Sequence, residues 1–150
     1  MFPAMGGTHG HIAAMTGATT KIAFGFRATW IILVNTTQGA CHFWVEEMGA
    51  GTSYEMTAAA YNLRATTGFT TYAGGETVDA TTNPVVDKNG AALPDGSIAP
   101  AGIQLGTLAA LNTEDDVVKF IVGRGDLPAN TGGTYQVPFG TEFTYTDEDP

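Results

Sequence analysis

A chain of 150 residues with 43% hydrophobic and 10% aromatic content can bury one real core, which excludes a disordered polymer. Its net charge of -9, with only 6 Lys and Arg and no basic cluster, lacks the electrostatic footprint that nucleic acid or an anionic membrane surface demands. A single Cys excludes an intrachain disulfide and suits synthesis in a cytoplasm.

Residues 1–19 are rich in Gly, Ala, Thr, Met and His without a clear period. They read as an extended N-terminal arm with no basic, apolar leader pattern. Met1, Phe2, Met5, Ile12 and Met15 would be a liability if left in water, so the arm is expected to dock on a partner. His9 and His11 form an H-x-H pair that a metal needs converging ligands to use. A polar, Gly-spaced arm accounts for the pair without one, and no metal or cofactor is expected.

A β-domain is expected over 20–124. KIAFGF at 21–26 alternates, with Ile22, Phe24 and Phe26 on one face of a half-buried strand. TWIILVN at 29–35 is a near-continuous apolar run, the pattern of a strand covered on both faces. TTQGA supplies a turn, and CHFWVEE at 41–47 alternates again, so the two strands form a hairpin. Cys41, Phe43 and Val45 point one way and His42, Trp44 and Glu46 the other. The first set is expected in the core. The second set is expected to face outward as a subunit or partner contact, with a half-exposed Trp as its anchor. Opposite pointing also keeps Cys41 and His42 out of one ligand sphere.

Residues 49–72 carry too much Thr and Tyr for a convincing helix and are expected to form two or three short strands. Residues 73–102 hold Asn-Pro, Asn-Gly and Pro-Asp-Gly turn signals and read as an elaborated surface insertion. Val85-Val86 and Ala91 to Leu93 flank Asn89-Gly90, which predicts a small hairpin inside it. IQLGTLAAL at 103–111 places Ile103, Leu105 and Thr107 on one face. With VVKFIVGR at 117–124 it is expected to form a second hairpin across the acidic turn NTEDD. Residues 125–150 lose regularity. Tyr135, Val137 and Phe139 alternate weakly before the acidic ending TDEDP, and an irregular C-terminal extension is expected.

The motif search points away from catalysis. No G-x-S-x-G, H-E-x-x-H or phosphate-loop pattern occurs. DKNG at 87–90, aligned as the middle of a calcium loop, would put Val85 and Gly96 at ligand positions, so that reading fails. Glu114, Asp115 and Asp116 fit a solvated turn better than a cation site. Arg124-Gly125-Asp126 spells an integrin-type tripeptide but reads more simply as a turn, and Asn35-Thr36-Thr37 is a glycosylation sequon in form. The fold class expected is all-β, a single β-sandwich or jelly-roll-like domain with an arm at each end, and the chain is not expected to be an enzyme.

The stretch GFRATWIILVNTTQGACHFWVEEMGAGTS resembles a pattern of small virion structural proteins of tailed bacteriophages. Its matching positions are Gly25, Phe26, Ile31 to Asn35, Phe43, Trp44, Glu46, Glu47, Met48 and Gly51 to Ser53. AGIQLG…VVKFIVGR at 101–124 resembles the closing strands of such proteins, and the likeness covers about half the chain. It implies a capsid decoration (cement) protein on the virion surface, made in a bacterial host cytoplasm. The partners it implies are the major capsid protein and further copies of itself, with a homotrimer expected. The arm residues Met1, Phe2, Met5, His9, His11, Ile12 and Met15 are then the candidate capsid contacts, and His42, Trp44 and Glu46 the candidate subunit contacts. A fibre or head-surface module that binds host glycans through exposed aromatics and the 73–102 loop is the alternative.

Overall fold

Period-two alternation carries through into the computed structural model, which describes residues 7–124 and the backbone of strands 133–136 and 142–145. In chain order the strands are β1 (Gly7–Ile12), β2 (Thr20–Ala23), β3 (Trp30–Asn35), β4 (Ala40–Val45), β5 (Thr52–Met56), β6 (Tyr61–Tyr72), β7 (Val85–Val86), β8 (Gly102–Leu105) and β9 (Val118–Gly123). The hairpin of β10 (Gly133–Gln136) and β11 (Glu142–Tyr145) follows them. The expected all-β fold is what forms: nine strands build one curled, mixed sheet, a half-barrel consistent with a sandwich or jelly-roll-like domain. Their order is β1-β9-β3-β4-β5-β6-β8-β2-β7, antiparallel throughout except for the β2–β7 pair.

Curling lets one face of the sheet pack on itself. Ile31 and Leu33 of β3, Trp44 of β4, Phe69 of β6, Ile22, Ile103, Leu105, Val118, Phe120 and Val122 form one cluster inside the curl. Leu111, from the loop before β9, joins the same core. A smaller cluster of Ala23, Tyr72, Val78, Val85 and Ala99 fills the β2–β7 end. The two ends of the sheet meet where His11 N–H donates to the Lys88 carbonyl at 3.0 Å. Gly10 makes this approach possible, because a Cβ there would lie 2.1 Å from the Phe120 ring and 2.4 Å from the Lys88 oxygen. The meeting point covers an edge strand that would otherwise offer unpaired backbone groups.

The β3–β4 hairpin forms as expected, in the register Trp30↔Val45 to Asn35↔Ala40. Its turn is held from below. The Asn35 side-chain oxygen accepts the N–H groups of Thr37 and Gln38. Its amide donates to Asp116 at 2.6 Å and to the Ala110 carbonyl at 3.1 Å. Asp116 also accepts from Gln38 Nε2 at 3.0 Å. Asp116 is therefore a buried clamp rather than part of a solvated acidic turn, and buried Asn35 is in no position to carry a glycan. The small hairpin at Asn89-Gly90 also forms, with Val86 bridged to Ala92 and Asp87 capping the turn through the N–H groups of Asn89 and Ala91.

Several expectations change. The arm over 1–19 is largely part of the domain: 7–12 is a strand on β9, and Ile12 and Met15 are core residues. The 73–102 stretch supplies β7 and the buried Val78, Val85 and Ala99, so it completes the sheet rather than decorating it. β8 and β9 do not form a hairpin, because β8 pairs with β6 and β2 while β9 pairs with β1 and β3. The C-terminal extension contains the β10–β11 hairpin. The positions Met1, Phe2, Met5, Val137, Phe139 and the Gly125-Asp126 part of the tripeptide lie outside the described residues.

Candidate functional site, the outer face of the sheet

Strand alternation in β4 is as expected, but the two faces are exchanged. His42 and Trp44 are fully buried inside the curl, while Cys41, Phe43 and Val45 lie on the outer face. The polar atoms of Trp44 and His42 explain the exchange. Trp44 Nε1–H donates to the Gly49 carbonyl at 3.0 Å, and His42 Nε2 lies 3.0 Å from the Ala110 carbonyl, to which its N–H donates. A polar tip with an internal partner no longer needs water. His42 and Trp44 are therefore not a contact surface. Glu46 begins a 3-10 turn (Glu46–Met48) and pairs with Arg27 at the outer rim.

Around His42 the inner face is unusually polar. Glu55 lies opposite it across the β4–β5 ladder and is only 2% exposed, and Arg64 reaches in to pair with Glu55. Burial lowers the His42 pKa below the usual imidazole value; the Ala110 hydrogen bond and the Glu55 charge pull it partly back, and Arg64 adds to the lowering. The neutral ring sits edge-on to Phe69, with centroids 6.5 Å apart. Its Nδ1 and the Ser53 hydroxyl are buried without a protein partner.

The outer face is the larger surprise. The strand ladders align Ile121, Ile32, Phe43, Tyr54 and Leu63 in one row across β9, β3, β4, β5 and β6. A second row, one step along the strands, holds Lys119, Val34, Cys41, Met56 and Tyr61. Phe43 is 37% exposed, Tyr54 38%, Val34 40%, Ile121 51%, Leu63 67% and Tyr61 72%. Ile98 is the one strongly exposed large hydrophobic outside this face among the described residues. Directly opposed aromatic and aliphatic side chains support the ladder, but nothing among the described residues covers them. The run TWIILVN, patterned for cover on both faces, is covered on one.

Two hollows mark diagonal corners of this face. One, of about 560 Å³, is lined by Arg27, Thr29, Trp30, Phe43, Val45, Glu46 and Glu47. The other, of about 360 Å³, is lined largely by His9, His11, Ile32, Val34, Lys119 and Ile121. His9 and His11 share the outer face of β1, opposite Ile121 and Lys119. No cluster of three metal-ligating side chains occurs among the described residues. Cys41, next to Val34 and Met56, has its thiol pKa raised by burial, away from thiolate reactivity. Comparison with protein families, curated proteins and solved structures finds no match. Sequence reasoning missed Leu63 and Ile121 as surface residues. Their signal was present in the register, since each lies in one row with Phe43, but register is not written in a single strand.

Proposed function

We propose that the protein is a structural component of a particle, a capsid decoration protein of a tailed bacteriophage that binds the major capsid protein and further copies of itself. The carrying observation is the uncovered apolar outer face, which runs across five strands and gathers nearly every exposed large hydrophobic of the described chain. A contiguous apolar face of this size marks an assembly surface. The low charge of the chain and the resemblance of its hairpin to phage virion proteins supply the context. Such a protein stabilises a shell by mass action, since it binds the assembled state and not the separated subunits. Several copies held together raise the effective concentration of each contact.

The test adds the purified chain to shells of the cognate major capsid protein. The wild type is expected to bind and to raise the temperature at which shells open. Phe43→Glu is expected to stay folded and lose binding. Shells that neither bind the wild type nor gain heat resistance would remove the reading. The hollow beside Trp30 and Phe43, with Arg27, Glu46 and Glu47 at its rim, supports a second reading as a glycan-binding module, since aromatic faces and charged rims suit sugars. A glycan array with wild type and Trp30→Ala decides it, and silence from the wild type dismisses it.

A further inference from the structure

We propose that the occupant of the outer face is a second copy of this chain, packed sheet to sheet about a two-fold axis. The axis lies in the interface and crosses the strands on a diagonal past Ile32 and Phe43, which pair across β3 and β4. This inference rests on reading the outer face as an assembly surface, and it commits that surface to self-association.

Three observations lead to it. The first is distribution. A ring of three copies needs two unlike patches, one for each neighbour, whereas a two-fold contact uses one patch twice. The exposed large hydrophobics form one patch, and only Ile98 stands outside it among the described residues. The threefold arrangement expected from the family resemblance is therefore replaced here by a two-fold one.

The second is charge. One corner of the face, on β1 and β9, carries His9, His11 and Lys119. The diagonally opposite corner, past the end of β4, carries Glu46 and Glu47, of which Glu46 is paired with Arg27 while Glu47 has no ion pair among the described residues. Rotation about the diagonal axis exchanges the two corners. It sets the acidic-rimmed hollow of one copy towards the basic-rimmed hollow of the other, twice per dimer. Ile32 and Phe43, beside the axis, meet their own counterparts.

The third is area. Strands about 4.8 Å apart and about 20 Å long make the span from β1 to β6 roughly 600 Å² in projection. That approaches the about 800 Å² per partner of a standard interface. Burying Ile32 and Phe43 there gives TWIILVN the second cover its composition calls for.

The test is sedimentation equilibrium on the full chain, with circular dichroism to confirm that each variant is folded. Wild type is expected as a dimer at micromolar concentration. Phe43→Glu is expected to weaken it at least about a hundredfold, since it places two carboxylates beside the axis. Lys119→Glu and Glu47→Lys are each expected to weaken it roughly tenfold, and the double variant to recover most of that loss. A monomer or trimer, a dimer untouched by Phe43→Glu, or a double variant no better than the singles would overturn the proposal. Shell binding separates this from the assembly reading. A monomeric wild type whose Phe43→Glu variant loses the shell overturns the dimer alone. A dimer that Phe43→Glu dissociates without affecting shell binding supports the dimer and removes this face from the shell contact.

Discussion

Adjacent residues in β4 have opposite fates, and their substitutions separate them. Trp44 is 1% exposed and packs near Phe69, with ring centroids 6.3 Å apart. Trp44→Ala is expected to cost about 3–5 kcal/mol in urea denaturation, the range for an aromatic removed from a core. Phe43→Ala, on the outer face, is expected to cost less than about 1 kcal/mol in the dissociated chain. Equal losses would show that the assignment of faces is incorrect. His42 gives a pH signature. Burial holds its folded pKa below the unfolded value, so the unfolded chain binds the extra proton first as pH falls. Its contribution to stability is full above about pH 6.5 and declines as pH drops from there through the folded value. His42→Gln is expected to flatten the fall in urea midpoint just below pH 6.5 relative to wild type. An unchanged slope would mean that His42 is not held neutral. At this scale the sequence misleads for a definite reason: Trp and His carry polar atoms, and a polar residue reads as outward unless its partner is visible. Gly49 and Ala110, which accept those hydrogen bonds, lie 5 and 68 residues away.

The best-read element is the β3–β4 hairpin, because its apolar run, turn residues and alternation are all local. What fixes its turn is not local. Asn35 is clamped by Asp116, 81 residues later, just before β9 begins beside β3. Asn35→Ala is expected to cost about 2–4 kcal/mol, since it removes several hydrogen bonds and leaves a buried carboxylate short of a donor. The check is thermal and urea unfolding, and a loss below about 0.5 kcal/mol would contradict the clamp. The Asn89-Gly90 hairpin was legible for the same local reason. The pairing of β8 and β9 was not. Two good strands across an acidic turn predict a hairpin, yet their partners come from distant segments, and sheet order depends on which faces find cover. β1 shows the same limit: Gly, Thr and His alternate without an apolar stripe, and only Gly10, Ile12 and Met15 reveal that this segment closes the half-barrel.

At the scale of the molecule, the sequence makes an all-β domain legible and leaves its use to be argued from surface. One face of the curled sheet is packed, and the other presents Ile121, Phe43, Tyr54 and Leu63 to water. A chain with these residues uncovered is stabilised by whatever covers them, so assembly and stability are linked. Side-chain oxidative footprinting tests this most directly, comparing the chain diluted to monomer with the chain on its particle. Phe43, Tyr54, Leu63 and Ile121 are expected to become protected on assembly. Ile98, equally apolar and 64% exposed but off the face, is expected to stay as reactive as before. Unchanged reactivity across the Ile121–Leu63 row, with protection elsewhere on the chain, would contradict the account.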